Sequence, residues 1–438
     1  MARLDAWSPA TPDRPKSTSG RDPFWTQTVL VFGIDLAANI LDYGFHILLG
    51  RTLSAGDFAV FQSLNAVLIA VIAGLGALQP VVARRMVESG ERTEAARRDF
   101  QLYFRWAAWS GLLVFGLISA LRLPLAILLG LPKEAISVGA VVTALAFLRP
   151  AVGGALQADG KFLSLAGTKL AYSLGRWAFM LVSILAGWGL LAAMLTLPIG
   201  SALALAIGFG FLGRFVWRKT SLPFSGGALG YLKLSIGALL IMSTYHAFLA
   251  ADLVWVNRTL AAETAGVYAA ASLFRRMAML FPGAVTVVVY PRLVWQVQQG
   301  MAPDRLIAVS ASLIAGSLIT LIVTFVIAGD WLVAITFAGR YPEAAGLLEW
   351  MGLGALGFSL VALWVNVFIG TQPGPFLALL VCGLVVQAVF FGRAPLELID
   401  FLRIFTASGW AIALGGVLIY FFWLRPQIVR KSLAGIDG

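Results

Sequence analysis

Five basic residues, Arg149, Lys169, Arg176, Arg275 and Arg276, fall deep inside long apolar stretches. A charge at the centre of a membrane-spanning helix costs at least about 2.5–3.5 kcal/mol, so it faces a cavity, finds a partner or reaches for the surface. Lys169 and Arg176 are seven residues apart and share one helical face with Tyr172 and Ser173. Arg149 precedes Pro150, whose ring disfavours helical geometry at the preceding residue, so the helix is expected to open there. Arg275 and Arg276 lie near the middle of their stretch. Adjacent helical residues point ~100° apart, which leaves one of the two to pair with an acid such as Glu349. Guanidinium groups give charge-assisted, often bidentate hydrogen bonds to phosphate oxygens. A cavity lined by these five cations would replace water around an anionic head group.

The first apolar stretch carries the opposite sign. Asp35, Asn39, Asp42 and His46 follow spacings of 4, 3 and 4 and lie on one stripe that cannot face lipid. Two readings are open: an ion or proton site coupled to transport, or counter-charges for the cavity arginines. Cations in a low-dielectric cavity need counter-charges, which weighs towards the second. Tyr245, His246 and Asp252 form a smaller polar group of ordinary hydrogen-bonded type. Arg105, Lys233 and Arg403 sit within two turns of expected helix ends and are expected to snorkel to the surface.

The elements that must position these residues follow from composition. Of 438 residues, 60% are hydrophobic and 12% charged, against about a quarter charged in a soluble domain. The mean hydropathy is +0.88. One globular core cannot bury this much apolar surface, so the solvent is lipid. That excludes a soluble enzyme and, despite a net charge of +11, a nucleic-acid-binding protein. One cysteine and two histidines leave no material for a disulfide or a metal centre. No phosphate loop, zinc motif or nucleophile elbow is present, so neither cofactor nor metal is expected, and the chain is not expected to be an enzyme. The glycines at 208–210 and 352–357 fall inside apolar spans and suit close helix packing.

Twelve stretches are long enough to cross ~30 Å of hydrocarbon as helices: 25–50, 57–80, 100–121, 135–157, 161–186, 190–213, 229–256, 264–290, 305–328, 344–369, 375–392 and 398–424. The expected fold is an all-α polytopic membrane protein. Residues 1–24 are polar, Pro- and Ser-rich and lack the apolar core of a signal peptide, which reads as a cytosolic tail. Residues 425–438 read as a second one. With the N-terminus inside, the inner connections carry eighteen basic residues and the outer ones six, which places both termini in the cytoplasm. The inner segment 84–99 mixes charge signs and reads as a solvated connector touching anionic lipid heads. The tightest connection is GWGL at 187–190.

The chain also repeats itself. RTLSAGDFAVF at 51–61 aligns without a gap on RTLAAETAGVY at 258–268, 207 residues later. Arg51, Thr52, Leu53, Ala55 and Val60 recur as Arg258, Thr259, Leu260, Ala262 and Val267, and Arg85 falls over Arg292. Both copies occupy the outer turn after the first helix of a six-helix set, so the repeat is parallel. It divides the chain into an N-terminal lobe over 25–220 and a C-terminal lobe over 221–424.

LLGRTLSAGDFAVFQSLNAVL and VWVNRTLAAETAGVYAAASLF resemble the "ARxLGPxxFGxF"-type openings of bacterial polysaccharide transporters. These are the O-antigen and lipid-linked oligosaccharide flippases of the multidrug/oligosaccharidyl-lipid/polysaccharide (MOP) exporter superfamily. The chain departs from the pattern at Ala59, where glycine is usual, though Gly266 stands in the second copy. It also lacks the two extra C-terminal spans of lipid II flippases. The resemblance implies two six-helix lobes enclosing a central cavity that opens alternately to each side of a bacterial inner membrane. The implied cargo is a polyprenyl-diphosphate-linked oligosaccharide, with other polysaccharide-assembly proteins as further partners. A sodium- or proton-coupled multidrug or metabolite antiporter of the same fold is the alternative, followed by a membrane glycan polymerase or ligase.

Overall fold

The computed structural model describes residues 23–90, 93–213, 216, 218, 228–393 and 396–434. Nearly all of the tail expected over 1–24 lies outside this range, as does most of the junction near 220; Lys233 belongs to a described helix, but its side chain is not described. Among the described residues the chain is all-helical.

The first half comprises α1 (Pro23–Thr52), α2 (Ala55–Gly76), α3 (Gln79–Glu88), α4 (Glu94–Ala120), α5 (Arg122–Leu129), α6 (Lys133–Ala158), α7 (Phe162–Leu185) and α8 (Leu190–Leu212). The second comprises α9 (Ala228–Thr259), α10 (Ala262–Ala278), α11 (Leu280–Gln298), α12 (Asp304–Phe337), α13 (Leu348–Ile369), α14 (Pro373–Phe391), α15 (Leu398–Ile419) and α16 (Arg425–Ala434). A short 3₁₀ turn, Pro342–Leu347, precedes α13, and a π segment, Tyr420–Leu424, joins α15 to α16. Eleven helical segments are long and apolar enough to span a bilayer, so the chain is a multi-pass membrane protein. The twelfth expected span, α7, forms at full length but is missing from those eleven. Lys169 and Arg176, with Thr168, Tyr172 and Ser173, are the residues that lower its hydropathy.

The 207-residue offset of the repeat reappears in the helix boundaries. Thr52 and Thr259 end α1 and α9, Ala55 and Ala262 begin α2 and α10, and Leu212 and Ile419 end α8 and α15.

Two spans expected as single helices are broken. The stretch 57–80 divides between α2 and α3, and 264–290 between α10 and α11. Each break precedes a proline, Pro80 or Pro282. A proline has no N–H to give the carbonyl four residues back. Those carbonyls belong to Gly76 and Ala278, the last residues of α2 and α10. The expected connector 84–99 is also largely helical: α3 runs to Glu88, α4 starts at Glu94, and Arg85 and Arg98 both lie against Asp99.

Pro150, expected to open its helix, lies buried inside an unbroken α6. Packing holds the segment. A Cβ on Gly153 would stand 2.6 Å from the Gln79 side chain, and one on Gly154 2.7 Å from Val82. The two glycines bring α6 so close to α3 that opening the helix would lose that contact. The turn between α7 and α8 forms as expected, with Gly187 at φ +69°.

The buried apolar residues form two clusters. The larger joins both halves, because α2 packs against α9 and α10. The smaller lies among α3, α4, α6 and α8. Helix α1 packs mainly along α7, and α14 packs along α9.

Candidate functional site

The polar stripes of α1 and α7 meet. Lys169 Nζ donates to Asp35 Oδ1 at 2.6 Å, and Arg176 donates to Asp42 Oδ1. Both pairs span 134 residues of sequence, so the two helices run in parallel register. Each carries its charges at the same seven-residue spacing. Between these pairs Ser173 donates to the Ala38 carbonyl at 3.2 Å, and the Trp177 indole N–H donates to the Leu41 carbonyl at 2.7 Å.

The two ion pairs differ in setting. Lys169 and Asp35 are each nearly half-exposed, whereas the Arg176 side chain is 2% exposed. Its guanidinium carbon lies 4.0 Å from the centre of the Phe45 ring and 5.2 Å from that of Tyr172, so a ring face replaces water over a buried cation. Its Nε and Nη2 have no hydrogen-bond partner. His46 completes the stripe, with Nε2 3.8 Å from Asp42 Oδ2 and an unpartnered Nδ1. Asn39 donates to Asp35 at 3.3 Å. The α1 stripe therefore lies on the α7 cations as their counter-charge.

A cleft of about 310 Å³ opens beside the Lys169–Asp35 pair, lined among others by Asp35, Gln79, Arg149, Thr168 and Lys169. Arg149 reaches it from α6, its guanidinium 5.5 Å from the Tyr172 ring centre.

The cations of the second half sit side by side and do different things. Arg275 is buried and donates through both Nη atoms to Asp252, which also accepts from the Tyr268 hydroxyl. Asp252 and Tyr268 are both fully buried, and the Arg275 guanidinium lies 4.1 Å over the Phe405 ring. The acid expected at this point, Glu349, is exposed. Asp252 takes its place because it stands on α9, which packs against α10.

Arg276 turns the other way. Its Nη1 donates to Gln62 Oε1 at 3.2 Å, across the sequence halves. It lines a second cleft of about 440 Å³, together with Tyr43, His246, Thr286, Ser359 and Asn366 among others. This cleft stands where the repeat would put a counterpart of the first. Asp35, Gln79 and Val152 of one lie 207 residues before Met242, Thr286 and Ser359 of the other.

The five sequence-predicted cations are thus not equivalent. Lys169, Arg176 and Arg275 stand on carboxylates, Lys169 and Arg275 at the edges of the two clefts; Arg149 and Arg276 also line a cleft each, and neither arginine forms an ion pair among the described residues. Sequence reasoning missed Gln62, because an uncharged amide carries no burial penalty that marks it out. It also missed Tyr268, which the repeat alignment presents only as the counterpart of Phe61. His246 lines the second cleft, and Tyr245 donates to the Phe358 carbonyl at 3.1 Å.

By sequence, no protein-family model and no curated protein matches the chain. Its fold matches solved transporters. The inward-facing conformation of a multidrug resistance MATE family transporter of the MOP superfamily superposes with a TM-score of 0.67 at 14% identity, over 92% of this chain and 99% of that one. The lipid II flippase MurJ, in an inward closed conformation, gives 0.71 at 13% identity over 93% and 91%. The eukaryotic MATE transporter AtDTX14 gives 0.64 at 13% over 94% and 99%. The chain therefore shares the fold of these solved transporters.

Proposed function

We propose that the chain is a transporter that moves a polyprenyl-diphosphate-linked oligosaccharide across a bacterial inner membrane. In this reading the lobes over 25–220 and 221–424 rock about their shared interface, with both termini in the cytoplasm. The observation that carries it is the pair of cleft arginines without carboxylate partners, Arg149 and Arg276. A guanidinium left without an anion inside a membrane protein is costly unless water or an anion reaches it. Each cleft offers one such guanidinium to a diphosphate oxygen. Lys169, Arg176 and Arg275 keep the surrounding potential from becoming prohibitive, because each carries its own carboxylate. Lys169 alone of the three is an exchange partner: cargo that displaces Asp35 from it would gain a second cation beside Arg149.

The test is translocation of a fluorescent polyprenyl-diphosphate oligosaccharide in reconstituted vesicles. Arg149→Gln and Arg276→Gln are each expected to reduce the rate at least tenfold while the protein elutes and melts as wild type. Unchanged rates in both variants would overturn the anionic-cargo reading.

One observation favours the ion-coupled antiporter as a second reading. Asp35 is a half-exposed carboxylate in a cleft, which suits cation entry. Uptake of a cationic dye driven by a sodium or proton gradient, and lost in Asp35→Asn, would favour that reading over glycan transport.

A further inference from the structure

The repeated Arg-Thr-Leu motif is not part of either cleft, and its arginines are in the wrong place to meet cargo there. Arg51 stands at the end of α1 and donates through Nε to the Thr336 carbonyl at 2.7 Å and through Nη2 to that of Ile335. Arg258 stands at the end of α9 and donates to the Leu128 carbonyl at 2.9 Å, while its neighbour Asn257 donates to Gly130 at 3.0 Å. The donors Arg51 and Arg258 are 207 residues apart, and so are the acceptors Leu128 and Ile335. Each half of the repeat therefore reaches across to the other and takes hold of an equivalent helix end.

Both helix ends suit a cation. The last carbonyls of a helix lack intrahelical partners and carry the negative end of its dipole. Both are held open by a left-handed cap: Gly130 at φ +63° after α5, and Ala338 at φ +52° after α12. Ala338 is the one non-glycine residue with positive φ among the described residues. Arg340 adds a contact in the reverse direction, donating to the carbonyls of Gly50 and Arg51 at 3.1 and 2.6 Å.

Beneath these bonds the two motif helices touch. A Cβ on Gly266 would lie 2.6 Å from that of Ala55, and one on Gly56 2.9 Å from that of Ala262. Phe58 of α2 packs on Phe337 and Tyr341 with ring centres 6.1 and 6.0 Å apart.

We infer that Arg51 and Arg258 form a reciprocal latch that holds the two lobes together at the motif end, so that opening that end requires release of both. The latch is independent of what the protein carries, since no cargo group takes part. Arginine suits it because its planar group presents several donors: that of Arg51 reaches two successive carbonyls, while Arg258 reaches one and Asn257 adds the second contact. Both arginines are exposed, so water competes for the same carbonyls and the closed state is held reversibly.

The test uses the full chain in membrane vesicles, in a Cys382→Ala background. A reporter cysteine replaces Ala59, which is fully buried behind the latch. Its rate of modification by a water-soluble maleimide reads opening of the motif end. Control cysteines replace Ser54, which is exposed, and Ala269, which is fully buried in α10. Arg51→Ala with Arg258→Ala is expected to raise labelling at 59 by about tenfold, the scale of losing a few exposed charge-assisted bonds. Each single variant should give a smaller and comparable rise, and these carry the test if the double variant is not recovered. Unchanged labelling at 59 in all three would overturn the latch. So would a parallel rise at Ala269→Cys, because the arginines would then be holding the fold together and not one end of it.

Discussion

Asp42 and Arg176 meet one face of the α1–α7 pair two helical turns beyond the place where Asp35 meets Lys169. The equal spacing makes the two contacts a zipper, yet its two teeth are unequal. Arg176 is buried against Phe45 and Tyr172, while Lys169 and Asp35 share the edge of a cleft. Removing one charge of the Asp42–Arg176 pair leaves the other uncompensated. The loss lies between the ~1 kcal/mol of an exposed pair and the ~3–5 kcal/mol of a buried one, because Asp42 keeps 38% of its side-chain surface. Thermal unfolding in detergent should show Asp42→Asn and Arg176→Gln each lowering the melting temperature by several degrees. The double variant should fall short of the sum of the two. The same pair of substitutions at Asp35 and Lys169 should be nearly silent in stability.

Asp252 gives a second, sharper expectation. It accepts from Arg275 twice and from Tyr268 once, with all three side chains buried. Tyr268→Phe removes one donor and should cost about 1–2 kcal/mol. Arg275→Ala leaves a buried carboxylate without its cation and should cost about 3–5 kcal/mol, enough to reduce the folded yield. Size-exclusion profiles and melting curves of the two variants should rank in that order. Arg275→Ala together with Asp252→Ala should recover folded protein that the single arginine variant loses.

The two substitutions also show where sequence reasoning stops. Hydropathy gave the spans, since each needs only length and apolar content. The repeat was legible because the Arg-Thr-Leu copies align without a gap. Two turns of stripe were legible on α1 and on α7, but not that they face each other, since pairing depends on how two distant helices are packed. The same limit hid the partner of Arg275. Glu349 and Asp252 are both acids within reach of a plausible arrangement, and only the packing of α9 on α10 decides between them. Proline breaks were missed for another reason. Pro80 sits at the edge of its apolar stretch and Pro282 inside one, so neither interrupts the hydropathy that marked the spans. The latch was invisible because its acceptors are backbone carbonyls, which leave no trace in residue type.

If Arg276 meets cargo as proposed, Arg276 and Gln62 separate folding from cargo handling. Arg276 is bonded to the Gln62 side chain with no ion pair, so Arg276→Gln removes a charge from the cleft without stranding a carboxylate. Its melting temperature should stay within about two degrees of wild type, the scale of a change under 1 kcal/mol. Binding of a soluble diphosphate ester, followed by tryptophan fluorescence, should weaken at least tenfold. Gln62→Leu removes the amide that orients the guanidinium and should weaken the same binding less, by about threefold, because the charge remains.

The contact between Ala55 and Gly266 lends itself to a steric test. With a virtual Cβ on Gly266 only 2.6 Å from Ala55 Cβ and 2.7 Å from its carbonyl oxygen, the two helices cannot keep this spacing around any larger side chain. Ala59, which the repeat aligns with Gly266, shows that the equivalent position of the first copy accepts a methyl group, whereas at Gly266 the approach of Ala55 means that a methyl group must push its neighbour aside. Gly266→Leu would drive α2 and α10 apart at the motif end, and a shift of a few ångströms breaks the carbonyl bonds of Arg51 and Arg258 as well. The variant should therefore behave as a permanently released latch, with fast labelling of Ala59→Cys that removal of the two arginines does not increase further. Gly266→Ala asks the neighbour to give by less and should lie between Gly266→Leu and wild type. If Gly266→Leu instead labels as slowly as wild type, the lobes are held at that end by something other than this crossing and its arginines.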